Sequence, residues 1–193
     1  MPPRPKFSKE QIIDSAFHIA KTEGLDKVTI RKIADHLGSS SAPIYVNFND
    51  VDEVKRAVIH KVVELSQQML QQHQSGNPFR DIGIASLKMA MEYPVLIRDF
   101  ALEPNEYLKN YDQEMVRELV NMMQKDPGLE DFTEEELMAI LLKMRIFQTG
   151  LTLMAANGLQ PEEFDFDQMI KLLDSVAEDV VMAARIRKGE EHK

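Results

Sequence analysis

Residues 30–48, IRKIADHLGSSSAPIYVNF, constrain this chain more than any other stretch. Ile30, Ile33, Ala34 and Leu37 recur at i, i+3, i+4 and i+7, one apolar stripe on a helix. Gly38 stops that helix, because glycine accepts the left-handed backbone that helix ends often adopt. Three serines follow as N-cap candidates, then Ile44 and Phe48 as an i, i+4 apolar pair. Pro43 fixes the register. Proline is tolerated only in a helix's first turn, where its missing N–H has no partner to lose. A helix over 41–48 must therefore begin at Ser40 or Ser41, two or three residues after the glycine. That spacing predicts a helix-turn-helix.

Pattern reading of the remainder yields helices only, with no alternating strands, hairpin turns or repeat period. Ser8 with Gln11 forms a capping-box pattern opening a helix to about Glu23, and Thr29 caps the 30–37 helix. Asp50 with Glu53 opens a long helix to about Gln74, and Thr133 with Glu136 opens an apolar one over 134–157. Helices over about 79–92, 94–102, 111–124 and 166–188 bring the count to nine. Asn157-Gly158 is read as the end of the 134–157 helix. The fold class expected is all-α.

Charge divides the chain. Of 23 basic and 32 acidic residues, the first 49 positions hold seven and five, so the rest carry sixteen and twenty-seven. An acidic body is repelled by phosphate, and a mildly basic head confines any nucleic-acid contact to that end. At 44% hydrophobic and 28% charged, the chain can bury a core. No apolar run is expected to reach the roughly 20 residues that span a bilayer, and the start MPPRPKFSKEQ has no apolar signal segment. With no cysteine, thiolate metal sites and cysteine nucleophiles are excluded, and a cytoplasmic protein without membrane contact is expected. His18, His36, His60, His73 and His192 lack metal-ligand spacing. Nothing pairs a nucleophile with a base or cradles a phosphate, so neither an enzyme nor a cofactor or metal site is expected.

Residues 8–65 resemble the DNA-binding domain of the tetracycline-repressor (TetR) family of bacterial transcription regulators. The matching stretches are IIDSAFHIAKTEGLDKVTIRKIADHLG, then SSSAPIYVNF, then a long helix. The resemblance implies a three-helix DNA-binding head over 1–49 and a domain of about six helices over 50–193 for ligand sensing and dimerisation. It also implies a homodimer reading a palindromic operator in double-stranded DNA. One departure stands out: NDVDEV places Val51 where relatives often carry a phosphate-gripping lysine, among Asp50, Asp52 and Glu53. Weaker non-specific affinity for DNA is the expectation.

At ~100° per residue, Ile44 and Phe48 face inward while Ala42, Pro43 and Val46 face a major groove. Ser40, Ser41, Tyr45 and Asn47 flank them, within reach of phosphates or base edges. Thr29 can hold a phosphate at its helix start, with Lys27, Arg31 and Lys32 supplying charge nearby. Arg4 and Lys6 on the Pro-rich arm are expected to add phosphate or minor-groove contacts. The blander alternatives are that Tyr45 packs its ring between helices and that Pro43 is a plain helix start.

The second domain is legible in outline. Met89, Tyr93, Phe100, Met122, Met144, Arg145 and Gln148 suggest a pocket for a small hydrophobic ligand, methionine adapting to irregular apolar shapes. Ordinary core packing explains the methionines as well. The helices over 134–157 and 166–188 carry more apolar residues than one buried stripe needs. Leu151, Met154, Met169, Leu173, Val176 and Val180 are therefore assigned to a dimer interface. The reading is a repressor released from DNA by its ligand. Alternatives are a DNA-binding protein without a small-molecule ligand, or a protein-interacting bundle whose head no longer binds DNA.

Overall fold

The computed structural model describes residues 6–102, 107, 109–156, 159, 161 and 164–191. Among them the regular elements are all helical: α1 (Lys9–Glu23), α2 (Ile30–His36), α3 (Ala42–Tyr45), α4 (Val51–Gln71), α5 (Pro78–Glu92), α6 (Pro94–Leu102), α7 (Lys109–Met123), α8 (Glu134–Ala156) and α9 (Phe166–Glu191). A 3-10 turn, Leu25–Lys27, links α1 to α2. Arg4 and the proposed stop at Asn157-Gly158 lie outside the described residues.

Local chemistry sets most boundaries. The Ser8 hydroxyl accepts from Gln11 N–H while the Gln11 side chain accepts from Ser8 N–H, a complete capping box. Thr133 and Glu136 do the same for α8. At α4 the forward arm is present, Glu53 N–H donating to Asp50 at 2.7 Å. The return arm lands one residue early, Glu53 accepting from Asn49 N–H at 2.9 Å. Asn77 caps α5 through Arg80 N–H at 2.8 Å, and Pro78 occupies its first position.

The chain forms two compact units. The first holds the described residues of 1–67 and 93–108, the second those of 68–92 and 109–193. The first unit thus runs past residue 49, where the sequence placed a boundary. Val54, Val58, Ile59 and Val62 of α4 are buried, and α4 pairs with α1 through Lys61–Asp14 and Lys9–Glu53. Helix α6 joins by packing on α1, with Phe17 and Tyr93 edge-to-face at 5.6 Å. In the second unit, Ile82, Val120, Met123, Leu129, Phe132, Leu137, Ile140 and Leu141 form one core cluster, and Leu87, Leu151 and Met169 another.

Helix α8 is apolar on both sides. Leu137, Ile140, Leu141 and Met144 are buried, yet Met138, Leu142, Ile146 and Met154 are exposed at spacings of four and eight. By length and composition, residues 134–155 reach what a bilayer crossing needs, contrary to the sequence reading. The inner residues are committed to the unit's own core; the outer stripe is what raises the apolar content.

Candidate nucleic-acid interface and apolar cavity

The head is built as its sequence dictates. Gly38 takes φ +61°, the left-handed conformation that ends α2. Ser41 occupies the cap position of α3, with Pro43 in the first turn. Its hydroxyl makes no capping bond; its carbonyl instead accepts from Ile44 N–H at 3.1 Å. Regular helix stops at Tyr45, but Phe48 N–H still donates to the Ile44 carbonyl at 3.0 Å, carrying the turn to Phe48.

Faces follow from that geometry. Ile44 and Phe48 are buried at 1% and 2% exposure, whereas Tyr45 is 56% and Val46 70% exposed. Ala42 and Ser40 are exposed, and Ser41, Pro43 and Asn47 are half-buried. The Asn47 amide nitrogen donates to the Phe7 and Pro43 carbonyls at 3.3 and 3.2 Å, which leaves its oxygen as the group to offer a ligand. Thr29 is exposed and caps α2 by accepting from Lys32 N–H at 3.2 Å. Lys27 is exposed, and the Arg31 side chain is 92% exposed, 4.0 Å from Asp35.

The three carboxylates at the start of α4 are each engaged. Asp50 takes Glu53 N–H and lies 4.0 Å from Arg56. Asp52 accepts from the Tyr107 hydroxyl at 2.7 Å. Glu53 is held below its ordinary pKa, first by Asn49 N–H and also by Lys9. Arg56 and Lys9 offset part of the charge of Asp50 and Glu53, whereas Asp52, bonded to a neutral hydroxyl, keeps its full repulsion for a phosphate.

The second unit contains a cavity of about 500 Å³, walled by α5, α8, α9 and the turn after α7. Its lining is mainly apolar, including Ile82, Leu129, Leu141, Met144 and Leu173. At its margin Arg80 grips Asp174 with two bonds of 2.9 and 3.0 Å, which raises the pKa of the guanidinium. Gln148 donates to the Gly83 carbonyl at 2.8 Å, joining α8 to α5.

The cavity gathers two of the seven residues assigned to a pocket, Met144 and Gln148. Met89 is buried in α5. Tyr93 packs on Phe17 in the first unit, where Phe100 is half-buried on α6. Met122 packs on the larger core cluster, and Arg145 is half-buried on α8. Sequence reasoning missed Arg80, Asp174, Ala177 and Arg185, which carry no pattern beyond ordinary helix surface.

The dimer assignment needs correction for three residues. Leu151, Met169 and Leu173 are buried at 7%, 1% and 3% within the chain itself, because their side of each helix fills the unit's core. Met154 is exposed, and Val176 and Val180 are half-buried. The outward apolar residues are Met138, Leu142, Ile146 and Met154 on α8, with Leu172, Met182 and Ile186 on α9. Among the described residues no cluster of three His, Cys, Asp or Glu is placed to hold a metal.

No protein-family model matches the sequence, and no curated protein does. Solved structures are similar over nearly the whole chain. A transcriptional regulator from Rhodococcus sp. RHA1 aligns with a TM-score of 0.66 at 17% identity, covering 92% of this chain and 97% of that one. A TetR-like transcriptional regulator from the same organism gives 0.62 at 17%, covering 87% and 92%. A TetR variant from Acinetobacter baumannii, in complex with minocycline, gives 0.51 at 20%, covering 92% and 96%. The fold is that of TetR-type regulators: a helix-turn-helix head followed by a helical domain.

Proposed function

We propose that this chain is a sequence-specific DNA-binding transcription regulator that acts as a homodimer on a palindromic operator. The observation that carries the reading is α3 with the turn that follows it to Phe48, which buries Ile44 and Phe48 while presenting Tyr45 and Val46 to solvent. Two exposed apolar side chains beside an inward-anchored turn suit contact with thymine methyls and groove walls. Ala42, Pro43 and Val46 offer no side-chain donors, so DNA shape and backbone positioning carry much of the selectivity. Ser40, Ser41, Tyr45, Thr29, Lys27 and Arg31 provide the polar and phosphate contacts, with the Asn47 oxygen available beside them. A symmetric pair of heads reads half-sites about 34 Å apart.

Release by a small hydrophobic ligand is the regulatory part of the proposal, and the cytoplasm its setting. The cavity beside Met144 and Gln148 is large enough for a compact apolar molecule. That cavity favours this reading over a regulator without a ligand. Helix α4 is continuous from Val51 to Gln71 and so runs through the point where the two units divide. A ligand that binds one arrangement of α4 better than another shifts the spacing of the heads; equal affinity for both shifts nothing.

The test is enrichment of duplexes from a random pool by the full chain. A palindromic consensus is expected, with Tyr45→Ala and Ala42→Asp each weakening its binding at least tenfold. Failure to enrich any sequence, or full binding by both variants, overturns the proposal.

A further inference from the structure

Residues 6–9 run alongside α3 from one end to the other. At the start, Lys6 Nζ donates to Ser39 Oγ at 3.3 Å, in the turn before α3. Next, the Phe7 carbonyl accepts from Asn47 Nδ2 at 3.3 Å, just past the end of α3. At the far end, Lys9 Nζ stands 4.8 Å from the centroid of the Phe48 ring and 3.5 Å from Glu53 Oε1. Two ammonium groups therefore bracket the turn that presents Tyr45 and Val46.

Folding accounts for only part of this placement of Lys9, since its approach to the Phe48 ring is worth about 0.5–1 kcal/mol. It occupies the first turn of α1, where the helix dipole disfavours a cation. Its side chain is 55% exposed, and an exposed pair at 3.5 Å adds little stability. Its ammonium also lies beside the first turn of α4, a second positive helix end. The start of α4 has no cation of its own before Lys55. Every other charge there, Asp50, Asp52 and Glu53, is already engaged by a protein donor. Lys6 has no carboxylate partner among the described residues and is exposed.

We propose that Lys9, together with Lys6, binds backbone phosphates of the DNA duplex on either side of α3, and that Glu53 holds Lys9 in the unbound protein until a phosphate replaces it. This rests on the DNA-binding reading above. Glu53 is a restraint on Lys9 rather than its purpose. A phosphate bearing a full charge, accompanied by counterion release, displaces a carboxylate held at 3.5 Å.

The test measures affinity of the full chain for a short fluorescein-labelled duplex of arbitrary sequence across a salt series. Each lost phosphate contact lowers the slope of log K against log salt by about 0.9. Lys9→Gln and Lys6→Gln are each expected to lower it by that amount per bound subunit, and Lys9→Arg to keep it. Glu53→Gln is expected to tighten binding, and that gain is expected to vanish when Lys9→Gln is also present. A purely structural ion pair predicts the opposite sign for Glu53→Gln, weaker rather than tighter binding, with a salt slope that Lys9→Gln leaves unchanged. Simple relief of repulsion predicts the same gain with or without Lys9. Either pattern, or a slope untouched by Lys9→Gln, overturns this inference while leaving the DNA-binding reading intact. No binding by the unaltered chain even at low salt overturns both.

Discussion

The Tyr107 hydroxyl donates to Asp52 Oδ1 at 2.7 Å, fastening residue 107 to the first turn of α4. This hydrogen bond is the main reason the phenol pKa rises, with burial and the Asp52 charge adding to it. The folded state holds this proton more tightly than the unfolded one. The contribution is therefore complete below about pH 10 and is lost as pH rises through the folded value. Ultraviolet titration of the four tyrosines is expected to show a late phase that Asp52→Asn moves to lower pH. An alkaline titration unaltered by that substitution means the bond does not exist in solution.

Gly83 is required by close packing rather than by its backbone angle. A Cβ placed there would lie 2.9 Å from Leu173 Cδ2 and 3.7 Å from Gln148 Nε2. Leu173 is buried, and although it also borders the cavity its Cδ2 must shift to admit the added methyl. Overpacking costs about 1–3 kcal/mol, against about 1 kcal/mol that alanine gains over glycine in a helix interior. Gly83→Ala is expected to lower the melting temperature slightly, and Gly83→Val far more. A rise in melting temperature for Gly83→Val would show that α5 and α9 are not this close.

The cap of α8 gives a pH signature. Glu136 is held below its ordinary pKa of 4.5, first by Thr133 N–H, then by the Thr133 hydroxyl and Lys188. A depressed carboxylate contributes stability above the unfolded value that is lost as pH falls through the folded one. Glu136→Gln should therefore differ from the parent near neutral pH and converge with it in acid. Thr133→Ala removes the hydroxyl cap and is expected to destabilise by about 1 kcal/mol. Parallel acid limbs for parent and Glu136→Gln would rule out the linkage.

What the sequence discloses and what it conceals divide along local and non-local lines. The boxes at Ser8–Gln11 and Thr133–Glu136 are visible because both partners lie within one turn. The inward pair Ile44 and Phe48 is visible because helical angles alone place it. Membership of α6 in the first unit is not, since it depends on Tyr93 meeting Phe17 across 76 positions of chain. Methionine shows the same limit: Met123 fills the core and Met144 borders a void, and nothing local distinguishes them. On α8 the surplus of apolar residues is legible, but not which half faces inward. The stripe at 138, 142 and 146, opposite 137, 140, 141 and 144, holds that signal once one side is known to be core.

That outer stripe yields the most direct test of assembly. Leu142 and Ile146 are 57% and 66% exposed, and Gly150, four residues further on, would have nothing within 4 Å of an added Cβ. A helix from a second copy can approach closely at such a position. Burying an aliphatic side chain of this size is worth roughly 1.5–3 kcal/mol, and two-fold symmetry applies each contact twice. In the proposed dimer, with this stripe as the contact, Ile146→Glu places two carboxylates between the copies, where desolvation and mutual repulsion both oppose association. The expected result is a monomer by sedimentation equilibrium, with helical content unchanged because residue 146 takes no part in the chain's own core. Affinity for a palindromic duplex should fall much further than affinity for a single half-site. A dimer that survives Ile146→Glu would place the contact between copies elsewhere on the surface.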